Sequence, residues 1–377
     1  MKNWKSFCGK FLLGVLGVIL LITAINAFDV AVKPEVQELL QVSTGPNPQD
    51  DKVCAAALGL FVSESLDFQQ EGHRLLQSLQ VEFGDAEALV KAEAVEIPNQ
   101  IEIIERAKKC DKVCVYTAEE KASYRKQLDQ QRVFLERFKQ LVQMESLQCR
   151  HPMVLIKFPI LAFFRIAKNQ ILEFELLGQA GEVEKARQGL LQINHFMEKT
   201  LLREKYSVVS SLIFLSILER AREVFRSFED EKDASKVSFA TLKFDDVAKK
   251  TMAGELQFGQ WLMSFHLKRD YLAISDINDV DESDDIETRE TKQDMLDKLM
   301  FYFFSPKETI NDNLTAITTA MWDPCIGQTD IPCKGHRPNP LTWVRNPIGK
   351  SMTDVLTNNL PEFYRKMKTR IDRVNKI

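Results

Sequence analysis

"TAEEKASYRKQLDQQRVFLERFKQLVQMESLQ", residues 117–148, decides the fold class. Thr117 is followed three residues later by Glu120, the spacing of a helix-opening capping box. Leu128, Phe134, Leu135, Phe138, Leu141 and Val142 then recur at helical intervals, with Lys, Arg, Gln and Glu between them. Such a segment makes a helix with one apolar and one wet face. The spacing predicts one long amphipathic helix ending before Pro152. Its stripe either faces a core or is offered to a partner.

The same reading extends in both directions. Residues 153–181, "MVLIKFPILAFFRIAKNQILEFELLGQAG", are very apolar but carry Lys157, Pro159 and Arg165, which favours buried helices or an irregular core segment over a membrane span. Gly178 and Gly181 break the pattern before a further helical region. Tyr206–Leu218 is an uncharged run of thirteen residues, too short for a bilayer and suited to a central core helix. Upstream, Val53 to about Val90 reads as helix interrupted near Gly84, with another break at Pro98. Downstream, helices are expected over Phe244–Ile274, Thr291–Phe304, Glu308–Met321, Ser351–Asn359 and Pro361–Asn375. Strand alternation is scarce and no fixed-period repeat occurs. The fold expected is all-α or mainly α.

The amino terminus carries a location signal. Lys2, Lys5 and Lys10 precede an uncharged stretch, Phe11–Phe28, of eighteen residues. At 1.5 Å per residue that length approaches a bilayer core of roughly 30 Å. Basic residues before it keep that end cytoplasmic and send the body outside. Neither Ala27 nor Ala24 completes the small-x-small pattern of a cleavage site, so an uncleaved anchor is expected. The organisation that follows is a transmembrane helix over 1–28, a juxtamembrane linker over 29–52 containing "STGPNPQD", and a mainly helical extracytoplasmic body over 53–377. A subdivision near 275–290 and an irregular carboxy-terminal lobe complete it. The net charge is −4 and 45% of residues are apolar; no long basic run is present, which argues against nucleic acid as partner.

Cysteine usage agrees with export. Besides Cys8, the chain carries Cys54, Cys110, Cys114, Cys149, Cys325 and Cys333. Six cysteines permit fifteen complete pairings. Cys325 and Cys333, in the turn-rich "DPCIGQTDIPC", can close locally; Cys110 and Cys114 can do so only outside a helix. The spacings fit neither a zinc knuckle nor a Cys-x-x-Cys redox motif.

Known catalytic motifs are missing. The five histidines His73, His151, His195, His266 and His336 form no His-Glu-x-x-His, and neither a Gly-x-Ser-x-Gly elbow nor a phosphate loop occurs. Carboxylates such as Glu71 and Glu175 are numerous, but sequence gives no separation that would select a catalytic pair. An envelope enzyme acting on polysaccharide or lipid therefore has no residue assigned to it, and the question of enzyme or not stays open.

One acidic window, "DVDESDDIETRE" at 279–290, imitates a calcium loop. Asp279, Asp281, Ser283, Asp285, Glu287 and Glu290 take positions 1, 3, 5, 7, 9 and 12 of the EF-hand order. Position 6, which needs Gly for its sharp turn, holds Asp284. A solvated connection between helices is the simpler reading; calcium, in a calcium-responsive module, is the competing one. The triplet Asn313-Leu314-Thr315 is a glycosylation sequon or a chance triplet on a helix.

The carboxy-terminal text is the most distinctive. Pro306 can open a helix, Asn339–Pro340 and Asn346–Pro347 mark turns, and Trp322 and Trp343 bring large apolar faces. Phe304, Pro306, Thr309, Ile310 and Asn311, followed by Asn346, Pro347, Ile348 and Gly349, resemble the carboxy-terminal pattern of an uncharacterised family of membrane-anchored Gram-negative bacterial proteins. The resemblance covers the last fifth of the chain. It implies a periplasmic body on a single inner-membrane anchor and supplies no activity. The expectation taken forward is a noncatalytic, membrane-tethered helical protein that binds, scaffolds or assembles an envelope partner.

Overall fold

The computed structural model describes residues 48–79, 115–147, 149, 158–229, 237–256, 306–321, 323–326, 328, 332–333 and 359–377. The segment 1–28, most of the 29–52 linker, Cys110 and Cys114, the acidic window 279–290, Thr291–Phe304 and Asn346–Gly349 lie outside them. Among the described residues all regular structure is helical. The helices are α1 Pro48–Gly59, α2 Phe68–Leu79, α3 Ala118–Asp129, α4 Arg132–Val142, α5 Ile160–Gln179, α6 Val183–Arg203 and α7 Val208–Arg226. Then come α8 at 244–256, α9 Pro306–Met321 and α10 Leu360–Lys376. None is long and apolar enough to cross a membrane. Two compact units divide these residues: α9 lies in one, and α1–α7, nearly all of α8 and most of α10 lie in the other.

The capping box forms as read. Thr117 Oγ1 accepts from the Glu120 N–H at 3.1 Å, and the Glu120 carboxylate accepts from the Thr117 N–H at 2.7 Å. The single helix expected over this stretch is instead two. The backbone breaks at Gln130 and Gln131, and α4 stops at Val142. No Pro or Gly causes the break. Gln131 is buried and its side-chain oxygen accepts from Asn169 Nδ2 on α5 at 2.8 Å, so a tertiary contact overrides local helix propensity. The apolar stripe itself is consumed by the core: Phe134, Leu135, Phe138 and Leu141 have no exposed surface. That removes it as a partner-binding face. Burying each such side chain contributes about 1.5–3 kcal/mol.

The break expected at Gly84 also has an earlier counterpart. Residues 60–67 separate α1 from α2, which fold back on each other. A Cβ at Gly59 would lie 1.7 Å from the Phe68 carbonyl oxygen, and one at Gly72 would lie 1.9 Å from that of Ala55. Only glycine permits this crossing. Helix α1 opens at Pro48, inside the segment read as linker.

Helix α5 is the hub. It packs on α4, α6 and α7, and its residues from Ala162 to Leu176 are mostly buried. It ends in a Schellman motif: Gly181 adopts φ +94°, its N–H reaches the Gly178 oxygen at 3.1 Å, and the Glu182 N–H reaches the Leu177 oxygen at 3.1 Å. The tight turn makes α6 antiparallel to α5. Ser207 then caps α7 by accepting from the Ser210 N–H at 3.2 Å. Helices α5 and α7 run in the same direction. Phe163 meets Phe214 at 6.0 Å near their starts, and Glu175 meets Arg220 at 3.2 Å near their ends. The run Tyr206–Leu218 thus becomes a core helix, as its length predicted.

In the other unit α9 begins on Pro306, a position that tolerates the missing N–H. Cys325 and Cys333 are joined by a disulfide, the local closure the turn-rich spacing suggested.

Candidate functional site

The strongest concentration of chemistry in the larger unit lies along α5, α6 and α7, where charged residues interrupt apolar sequence. "ILEFELLGQ" on α5 places Glu173 and Glu175 among apolar neighbours, and "ILERAREVF" on α7 does the same for Arg220 and Arg222. Sequence reasoning passed over all four as catalytic or binding candidates. The available signal was the cost of a charge inside an apolar helical run, which demands a partner.

Glu173 is clamped by three groups. Arg132 donates to one carboxylate oxygen; Lys139 Nζ at 3.1 Å and Gln170 Nε2 at 2.6 Å reach the other. Burial alone would push the carboxyl up, but Lys139, Arg132 and Gln170 outweigh it and hold Glu173 below the usual carboxylate range. Glu175, with no exposed surface, receives Arg220 at 3.2 Å and the Tyr116 hydroxyl at 3.2 Å. The two carboxylates are assigned to different cations, so they do not work as a pair on one substrate.

Arg222 is the most buried cation. Its Nε donates to Asn194 Oδ1 at 2.9 Å, Nη1 to the Val374 oxygen at 2.8 Å, and Nη2 to the Ala240 oxygen at 2.9 Å and to Glu198. The Phe239 ring lies 4.7 Å from its guanidinium carbon. Burial lowers its pKa against the opposing pull of Glu198. Arg137 on α4 has a different task. It donates to the main-chain oxygens of Val62 at 2.6 Å, Ser63 at 3.0 Å, Glu64 at 3.4 Å and Leu66 at 2.9 Å. One guanidinium thereby fixes the α1–α2 loop.

Glu255 behaves differently. It accepts the Val208 N–H at 2.6 Å, at the start of α7. Burial raises its carboxyl, and that hydrogen bond only partly offsets the rise. Its charge adds to the burial that drives the Tyr364 hydroxyl upward. Tyr364 is fully buried and its oxygen has no partner. The pair is a stored strain in a polar sense, since protonated Glu255 suits the site better than the anion.

These arrangements are saturated from within the chain. A carboxylate gripped by cations and amides is a weak base and a poor proton donor. Among the described residues no group of three His, Cys, Asp or Glu is disposed to hold a metal ion. His195 is exposed and lies 3.7 Å from Glu198; His73 is exposed. The calcium candidates Asp279, Asp281, Ser283, Asp285, Glu287 and Glu290 lie outside the described residues. The sequon asparagine, Asn313, is only 3% exposed within α9, which favours the chance-triplet reading.

The fold and these clusters define an all-α domain tied by internal ion pairs and by two disulfides, Cys54–Cys149 and Cys325–Cys333. Comparison with known protein families, with curated proteins and with solved structures finds no match.

Proposed function

We propose that the chain is a noncatalytic, membrane-tethered protein of the cell envelope, acting as a binding or assembly factor outside the cytoplasm. The observation that carries this reading is the Cys54–Cys149 disulfide, which joins residues 95 positions apart within the helical body. Such a bond persists in oxidising compartments. It agrees with the side of the membrane on which the basic residues before Phe11 would leave the body. The carboxy-terminal resemblance points the same way, to a periplasmic domain on an inner-membrane anchor.

The noncatalytic part rests on the internal use of charge. Glu173, Glu175, Arg137 and Arg222 each spend their polar atoms on neighbouring helices and loops. Affinity capture of the intact membrane form under native conditions tests the role. A stoichiometric envelope partner that copurifies supports it. A glycan or lipid recovered with the protein and converted by it on incubation overturns it in favour of an enzyme. Location is tested separately, by whether the cysteines resist alkylation in cells before reduction.

A further inference from the structure

Three of the four large hydrophobic side chains that stand exposed among the described residues gather at one end of the bundle. Leu66 is 47% exposed, Leu161 60% and Val209 47%; the fourth is Val115. Leu161 lies in the first turn of α5 and Val209 in the first turn of α7, and the two helices run in the same direction. Leu66 belongs to the α1–α2 loop, which reaches the same end. Phe61 of that loop meets Phe158, just before α5, with ring centroids 6.2 Å apart. Arg137, which holds the Leu66 oxygen, directly precedes Phe138, whose ring lies 5.5 Å from Phe163. On α7 the patch continues through half-buried Leu212 and Ile213, and on α5 through half-buried Phe164.

The chain path says what this end faces. The disulfide ties Cys54 of α1 to Cys149. Two residues earlier, Leu147 receives the Thr200 hydroxyl with its N–H at 2.9 Å, and its oxygen accepts the Tyr206 hydroxyl. Those contacts place Cys149 where α6 ends and α7 begins, the same end that presents Val209. Pro48, where the chain arrives from the amino-terminal apolar segment, is six residues before Cys54, about 9 Å of helix. The exposed apolar end is therefore the end nearest the point of tethering.

We propose that this end rests on the lipid surface, with Leu66, Leu161 and Val209 inserted at the headgroup–acyl boundary. The proposal builds on the membrane-tether reading and deepens it. The charges around the patch are mixed: Lys199 and Arg203 both lie close to Glu145, and Glu204 sits beside Lys205. Contact is then driven by apolar insertion and not by anionic headgroups, so it survives high salt.

The test uses the full chain reconstituted in phosphatidylcholine vesicles. A photo-crosslinking residue is placed at Leu66, at Leu161, at Val209 and, as control, at Lys185, exposed at the opposite end of α6. The result expected is a phospholipid adduct at the first three positions, at least fivefold above Lys185, unchanged in 0.5 M salt (a roughly 4–5 Å screening length). In the Leu161→Ser/Val209→Ser background the adduct at Leu66 falls at least threefold. Equal yields at all four positions overturn the proposal, as does a crosslink between two copies of the chain in place of lipid. Alkaline extraction of the same vesicles reads the tether independently. Protein that stays with the lipid but gives no selective adduct sinks the docking face alone; protein that washes off yet gives the adduct sinks the tether alone.

Discussion

Arg222 on α7 donates to the main-chain oxygen of Val374 on α10 at 2.8 Å, across 152 positions of sequence. The same guanidinium holds Asn194 and Glu198 on α6 and the Ala240 oxygen. A single side chain thus joins three helices and a connecting segment. Its neighbours repeat the theme. Arg370 of α10 reaches Glu219 at 2.9 Å, and the Asn375 amide pairs with both backbone groups of Leu242, at 2.9 and 2.8 Å. The carboxy-terminal helix is held to the bundle by polar contacts as well as by the buried Tyr364, Met367 and Ile371.

Replacing Arg222 by Met should therefore cost about 3–5 kcal/mol, because Glu198 and two carbonyls lose their partner inside the protein. The double variant Arg222→Met/Glu198→Met should recover part of that loss, since no unpaired charge remains. Urea denaturation of the three proteins measures both. Full additivity of the single losses would show that the two side chains are not coupled.

The acidic pair on α5 and the lone acid on α8 should respond to pH in opposite senses. Glu173 has a folded-state pKa below its ordinary value, so the stability it contributes is present above that value and disappears as pH falls through the folded one. Glu173→Gln should cost about 1–3 kcal/mol at neutral pH and progressively less in acid. Glu255 has a raised pKa, so its favourable contribution exists below the ordinary value and is lost as pH rises through the folded one. Glu255→Gln, which keeps an acceptor for the Val208 N–H, should raise the unfolding midpoint at neutral pH and change little in acid. Thermal melts across the range decide; a stabilising Glu173→Gln at neutral pH would contradict the clamp.

Much of this architecture could be read from the chain. The capping box at Thr117, the helix start at Pro306 and the core role of the Tyr206–Leu218 run all follow from local rules and all occur. The misreadings share a cause. The break at Gln131 and the burial of the 128–142 stripe depend on α5, which arrives thirty residues later, and no local propensity encodes it. The pairing of Cys54 with Cys149 was one of many combinations until the fold brought α1 beside the end of α6. The ionic cluster was legible only as a demand, charges in apolar runs at Glu173, Glu175 and Arg222. Which cation met which anion was a property of the assembled helices.

The α1–α2 crossing gives a local test of packing. Gly72→Ala puts a methyl group against the Ala55 carbonyl, 1.9 Å away before any adjustment. Backbone cannot yield as a flexible side-chain tip can, so the helices must separate. A loss of about 1–3 kcal/mol is expected, larger than the gain of a few tenths to about 1 kcal/mol that Gly→Ala brings inside an unobstructed helix. Gly181→Ala meets nothing in space but is strained by its positive φ, and should also destabilise. Denaturant midpoints of the two variants separate the steric effect from the conformational one.

The long-range disulfide should matter more than the short one. Cys54 and Cys149 enclose a loop of 95 positions, whereas Cys325 and Cys333 enclose 8. Loop-closure entropy scales with the logarithm of loop length, which gives about 4–5 kcal/mol for the first bond and roughly 2–3 for the second. Cys54 and Cys149 are also buried beside residues that fix the end of α6, so reduction opens the place where Leu147, Thr200 and Tyr206 meet. Burial holds the Tyr206 hydroxyl far above its ordinary pKa, and exposure of that end should restore an ordinary tyrosine titration. The expected result is that Cys54→Ser/Cys149→Ser lowers the unfolding midpoint more than Cys325→Ser/Cys333→Ser does. Ultraviolet titration of the first variant should show one additional tyrosine ionising in the ordinary range. An unchanged titration together with an unchanged midpoint would mean that the bond contributes nothing to holding α1 against the bundle.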